Sequence, residues 1–224
     1  MRAALSICFL LLWTLMASAE VPDSSWKIDS RRERNGVEWA VYVETERSPG
    51  TPAFRIETSF DVIPLVAART LMAEMAEPSE STKGQERRLI ERTERGALVH
   101  TFVDLPFMFS DRELAIKIRH TDDAETGVHR IDWTDANEVL PPVGKGVLRL
   151  ETVGYWEFRP DGPSRTSATY MSRAEVGGSL PDALSNRLMK TQAVDSVKRL
   201  QATLEKHRSL HVAAPPPKLE TASE

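Results

Sequence analysis

The sequence predicts an α+β domain in which a curved antiparallel sheet packs against one long C-terminal helix. Three observations carry this prediction. Segments that alternate apolar and polar residues recur from Val37 to Val176, the pattern of half-buried strands. A single long helical pattern then runs from Ser179 to about His207. A lone amphipathic helix after many strands has one obvious surface on which to bury its apolar face, the concave side of their sheet. A sheet wrapped round a helix can leave a hollow, which either holds a ligand or is filled by side chains.

Residues 1–19 read as a cleavable secretory signal rather than as part of the fold. Arg2 is the charged start, Leu5 to Met16 is an apolar run, and Ala17-Ser18-Ala19 is a small-residue cleavage site. The run is shorter than the roughly 20 residues that span a bilayer. Cleavage after Ala19 would remove Cys8, the only cysteine, and leave a periplasmic or secreted chain without disulfides. Such a chain relies on its core, and 224 residues with 41% hydrophobic and 28% charged content suit one domain with a sizeable one. Losing Arg2 shifts the formal charge from −4 to −5, which gives no reason to expect nucleic-acid or anionic-membrane binding.

The remaining elements follow in order. Residues 20–36 read as a polar lead-in that docks Trp26, ahead of a domain over 37–209. Val37, Trp39, Val41 and Val43 alternate as a strand, and Ser48 to Pro52 is a turn cluster. Phe54, Ile56, Thr58 and Phe60 mark a second strand. Pro64 can open a helix at its first turn, and Leu65 to Glu77 continues it until Pro78. Glu80 to Gly84 is a loop. Gln85 to Glu94 and Ala97 to Asp104 predict a hairpin near Gly96, with the charges from Glu86 to Arg95 on a solvated face. Leu114, Ile116 and Ile118 define a strand, and Val128 to Trp133 another. After a loop from Asn137 to Gly146, Val147 to Phe158 reads as one long strand and Thr166 to Val176 as the last. Ser179 is the expected helix cap, with Asp182 completing a capping box. Residues 210–224, with Pro215-Pro216-Pro217, read as a disordered tail.

Few residues suggest chemistry. No pair among His100, His120, His129, His207 and His211 has a metal-binding spacing, and there is no nucleophile elbow, P-loop or dinucleotide fingerprint. No cofactor or metal is expected. Gly177-Gly178 reads as a strand-to-helix turn. Arg112 either sits at a cavity end or is held structurally by Asp111 or Glu113. The candidate pocket residues are Arg112, Ile116, Ile118, Leu150, Trp156, Tyr170, Leu184, Leu188 and Met189. Tyr170 stands out because a buried phenol needs a hydrogen-bond partner. The helix carries its apolar residues on two faces. Leu180, Ala183, Leu184 and Leu188 share one, while Ala193, Val197, Leu200 and Leu204 share another, turned by more than about 100°. Leu184 to Met189 is the half expected to roof a cavity.

Val103-Asp104-Leu105-Pro106-Phe107 runs into Ser110-Asp111-Arg112-Glu113, and Gly177-Gly178-Ser179-Leu180-Pro181 later leads to Leu184, Asn186 and Arg187. Together these segments resemble the START (StAR-related lipid-transfer) family, in particular its secreted bacterial members, over roughly Trp39 to Leu200. The resemblance implies a helix-grip fold, with an apolar tunnel between sheet and helix that binds one lipid-like molecule and no catalytic centre. Two departures are visible. Met75 to Gly84 lacks the tryptophan common after the family's first helix, and Ile118 stands where cholesterol-binding members carry a buried arginine. The leading expectation is a monomeric, non-catalytic carrier of a lipid or other hydrophobic small molecule, with transient membrane contact. The alternative is a cyclase or aromatase-like enzyme on the same fold, with Arg112, Tyr170 and Ser172 in acid–base roles. The third is an interaction module with a filled core, which a space below about 300 Å³ would favour.

Overall fold

A computed structural model describes residues 25–34, 37–46, 51–80, 85–105, 109–178 and 180–213. The expected signal, the Ser179 cap and the tail beyond residue 213 lie outside the described residues. Among those described, eleven strands form one sheet and two α-helices pack on it. In chain order the elements are β1 (Trp26–Arg34), β2 (Val37–Glu44), β3 (Ala53–Phe60), α1 (Pro64–Ala76), β4 (Ser79–Glu80), β5 (Gln85–Thr93), β6 (Gly96–Val103), β7 (Asp111–Asp123), β8 (Val128–Asp135), a 3-10 turn (Asn137–Val139), β9 (Val147–Arg149), β10 (Glu151–Pro160), β11 (Thr166–Glu175) and α2 (Asp182–Ala213).

The strand order is β1-β2-β3-β11-β10-β8-β7-β6-β5-β4, antiparallel throughout. Strands β9 and β7 are the exception and pair in parallel. Consecutive strands are mostly neighbours, as short connections favour. The non-local step is β3 beside β11, which brings the two ends of the domain together. Alternation decides which side is core. In β11, Thr166, Ala168, Tyr170, Ser172 and Ala174 are buried while their neighbours are not. Trp39 and Val41 of β2, with Phe54, Ile56 and Phe60 of β3, join the same hydrophobic cluster.

Two expectations change. Residues 26–34 are an edge strand paired with β2, not a lead-in. Their charged sequence carries no apolar alternation, because an edge strand is held by backbone hydrogen bonds and charge is tolerated there. Trp26 does dock, against the Arg55 guanidinium 5.4 Å from the ring centre. The long strand expected over Val147 to Phe158 is broken at Leu150. Residues before the break pair with β7 and residues after it with β8, so the chain changes partner there. Asn137 pins this crossing, accepting from the Ala115 amide at 3.0 Å and donating to the Leu150 carbonyl at 3.1 Å. Helix α2 opens at Asp182, whose expected capping partner Ser179 lies outside the described residues. The Pro181 carbonyl accepts from the Leu184 and Ser185 amides.

The charged strand β5 is not simply a solvated face. Arg87 donates to the Glu74 carbonyl at 3.0 Å and Arg92 to the Ala76 carbonyl at 3.4 Å. The last turn of α1 has no basic residue of its own, so β5 supplies its C-terminal donors.

Gly154 in β10 is required by close approach. A Cβ there would fall 2.3 Å from the Trp133 ring and 2.4 Å from the Met171 carbonyl oxygen. Gly154→Ala should therefore destabilise the fold by about 2–3 kcal/mol, the upper part of the overpacking range. Urea unfolding checks this, and a midpoint unchanged from wild type would show that Trp133 has room to move.

Candidate functional site

Sheet and helix approach each other unevenly along α2. Ser185, Met189, Ala193, Val197 and Gln201 recur every fourth residue. Together with Leu200 and Leu204 they form the buried or half-buried seam. This seam is continuous, so the two separate faces read from the apolar residues are not both inward. Leu188 is 38% exposed, Ala183 is exposed and Leu184 is only half-buried. The seam passes through Ser185 instead, a polar residue that apolar periodicity could not mark.

The other expected pocket residues divide into two groups. Ile118, Trp156 and Tyr170 are buried in a packed core, and Ile116 and Met189 pack against it. Trp156 stacks on Phe158 with centres 5.5 Å apart and meets Tyr170 edge-on at 5.1 Å. Trp133 closes on Tyr170 from the other side at 5.7 Å. The Tyr170 hydroxyl has an internal partner, the Ser172 side chain two residues along the same strand face. Burial raises the Tyr170 pKa, with the Ser172 hydrogen bond and the charge of Arg199 opposing.

Arg112 and Leu150 lie at one end of the sheet. Arg112 is 3% exposed, and neither Asp111 nor Glu113 holds it through a carboxylate. Its guanidinium donates to the Val176 carbonyl at 2.7 Å, to the Gly177 carbonyl at 2.9 Å and to the Ser110 carbonyl. Glu113 instead pairs with Arg149 at 3.1 Å and His100 at 3.2 Å. The Asp111 carboxylate accepts from the Leu105 amide at 3.0 Å. Gly177 and Gly178 have φ of 64° and 72°, the left-handed region that glycine enters without strain. The pair folds the chain tightly from β11 into α2, and Arg112 clamps that turn.

Open space lies elsewhere under the helix. A cleft of about 580 Å³ separates α2 from β1, β2 and β3. Its apolar floor is Val43, Phe54 and Val194. Asp29, Arg32 and Glu44 line it from the sheet, and Asn186, Arg187, Lys190, Thr191, Asp195 and Lys198 line it from the helix. Lys190 bridges the cleft to Asp29, and its hydrogen bond lowers the Asp29 pKa against the opposing effect of burial. Glu44 is paired with Arg173. A second cleft, about 240 Å³, lies near Phe60, Leu204 and Arg208. The first falls within the usual range for small-molecule sites and the second below it. None of the nine expected pocket residues lines either cleft. Val43 and Phe54 carried the alternation that points them inward, but the charged residues of β1 carried no signal at all.

The histidines that lie on strands include one close pair. His120 Nε2 and His129 Nδ1 are 3.1 Å apart with stacked rings. Burial lowers both pKa values, and the neighbouring His129 adds to the effect on His120. Asp122 opposes the shift, while Arg69 reinforces it for both rings and Arg95 for His120. An unfolded histidine titrates near about 6.5, so the unfolded chain takes up more protons as pH falls through that value. Stability should therefore be complete above it and decline below it. Urea midpoints should drop between pH 7.5 and 5.5, and drop less in a His120→Asn/His129→Asn variant. Equal pH dependence in the two proteins would remove the pair as its cause. Among the described residues, no group of three or more metal-ligating side chains is present.

The model of the START domain matches residues 14–209. The chain belongs to the START family. Its sheet and C-terminal helix are the helix-grip fold of that family. A StAR-related lipid transfer protein from Xanthomonas axonopodis superposes with a TM-score of 0.63 at 20% identity, over 81% of this chain and 99% of that one. Human StAR-related lipid transfer protein 5 gives 0.63 at 18% identity, over 83% and 89%. An uncharacterized protein of Pseudomonas aeruginosa is 28% identical over 122 residues, 54% of this chain and 59% of that protein. The match thus spans about three-fifths of the length of that curated relative. The START match begins upstream of Val37 and includes β1.

Proposed function

We propose that this START chain binds one lipid or other hydrophobic small molecule in the cleft between α2 and β1–β3, and carries it without converting it. The observation that carries this reading is the cleft itself, about 580 Å³ with an apolar floor, bounded by the C-terminal helix and the sheet. Burial of apolar surface at about 25 cal/mol per Å² supplies the affinity, and the polar rim orients the molecule. Membership of the START family supports a hydrophobic ligand, and the two structural relatives are described as lipid transfer proteins.

The geometry favours a carrier over a cyclase-like enzyme. Arg112 spends its donors on the turn before α2, while the Tyr170–Ser172 pair sits in the aromatic core. An acid–base site would need these groups to face a common space. Among the described residues no helix is long and apolar enough to cross a membrane. On this reading the protein meets membranes transiently, as a monomer, to load and release. Its N-terminal segment supports export, and Edman sequencing of periplasmic protein should begin at Glu20.

Native mass spectrometry after incubation with a total lipid extract tests the main reading. One lipid bound per chain is the expected result. Consistent recovery of empty protein would overturn it.

A further inference from the structure

We infer that the cleft between α2 and β1–β3 selects amphiphiles with an anionic head group, which Arg32 and Arg187 receive. The inference rests on the proposed lipid-binding role of that same cleft and adds the class of head group.

The lining is charged in a particular way. Four cations border the cleft, Arg32, Arg187, Lys190 and Lys198, against three carboxylates. Each carboxylate is already engaged. Asp29 pairs with Lys190, Asp195 lies 3.5 Å from Lys198 on the same helix, and Glu44 is paired with Arg173. Neither Arg32 nor Arg187 lies within 4.0 Å of a carboxylate oxygen among the described residues, although the charge of Arg32 reaches Asp29, and both are exposed. They come from opposite walls, one from β1 and one from α2. A bound anion between them would complete the balance of charge.

A guanidinium offers paired donors that match a phosphate or carboxylate, and two of them favour a head of net negative charge over a choline-capped phosphate, whose own cation they repel. The floor of Val43, Phe54 and Val194 distinguishes a lipid from a free anion. A small soluble phosphate would leave that apolar surface uncovered, whereas a chain attached to the head would cover it. Lys190 and Asp29 span the gap and hold the two walls together, which keeps the arginines facing one space.

The test uses the purified protein and vesicles of equimolar phosphatidylglycerol and phosphatidylcholine at low salt. The protein is separated from the vesicles, and the bound lipid is identified by native mass spectrometry. Two exposed ion contacts predict an enrichment of phosphatidylglycerol of about fivefold. That preference should shrink at high salt, because exposed charges are screened. In Arg32→Gln/Arg187→Gln it should fall to about twofold or less. Both side chains are exposed, so the variant is expected to fold. A charge-matched control, Arg88→Gln/Arg119→Gln, removes two exposed arginines from strands on the other flank and should keep the preference.

Equal loading of the two lipids would overturn the inference and leave the carrier reading standing. So would an enrichment that survives in Arg32→Gln/Arg187→Gln, or one that the control loses equally. Displacement of bound lipid by glycerol 3-phosphate at equal concentration would also overturn it, by reassigning the cleft to small soluble anions. Failure to load either lipid would overturn both readings.

Discussion

Trp156→Ala should lower the stability of the protein by about 3–5 kcal/mol, the cost of removing a large aromatic side chain from a core that cannot collapse around the gap. Trp156 is 1% exposed. It stacks on Phe158, meets Tyr170 edge-on and lies 6.3 Å from Phe60. Its backbone pairs with Tyr170 on one side and Ile131 on the other, so the strands around it are fixed by their ladders. Equilibrium urea unfolding followed by circular dichroism reads the loss directly. Trp156→Phe keeps an aromatic face and should cost about half as much. Lipid loading of the folded fraction should be unchanged in both variants, because Trp156 does not line the cleft. A loss of loading with little loss of stability would reverse this assignment and make Trp156 a pocket wall.

Arg112→Met should cost about 3 kcal/mol, for a different reason. The side-chain volume is roughly kept, but the carbonyls of Val176, Gly177 and Ser110 lose their donors in a place where water has little access. A buried acceptor left unpaired costs about 1–3 kcal/mol. Arg112→Lys should recover only part of this, since one ammonium cannot span acceptors that the planar guanidinium reaches together. Hydrogen exchange should localise the damage, with the backbone amides of the first turns of α2 exchanging faster. Gly178 gives an independent handle on the same contact. A Cβ there would lie 2.6 Å from Leu148 and 3.3 Å from the Arg112 guanidinium. Full stability of Arg112→Lys would show that charge alone, and not the clamp geometry, is what the turn needs.

The two variants separate the residues that sequence patterns can place from those they cannot. Strand positions such as Val41, Phe54, Ile118 and Trp156 were legible because side chains alternate across a pleated sheet and one face must be dry. The same rule could not say whether the dry face meets a ligand or other side chains. Trp156, Tyr170 and Trp133 come from three adjacent strands, and their mutual contact depends on strand order and register. The helix was legible in extent but not in orientation. Its buried seam follows every fourth residue through Ser185 and Met189, whereas the apolar residues Ala183, Leu184 and Leu188 point mostly outward. Arg112 was legible as unusual, but the two partners by which it clamps the turn before α2, Val176 and Gly177, are 64 and 65 residues away, beyond any local reading.

By itself the sequence determined the α+β class, most strand positions, the long final helix and the glycine turn that launches it. Each of these rests on local forces, namely alternation, helical spacing and backbone freedom, which act over a few residues. Only the tertiary structure decided where the open space lies. Strand β1 is charged and hydrogen-bonded at the sheet edge, and it meets the outer flank of α2 across a cleft that joins residues more than 150 positions apart, such as Asp29 and Lys190. No local pattern encodes that meeting, because an empty volume is set by how far two packed elements stand from each other.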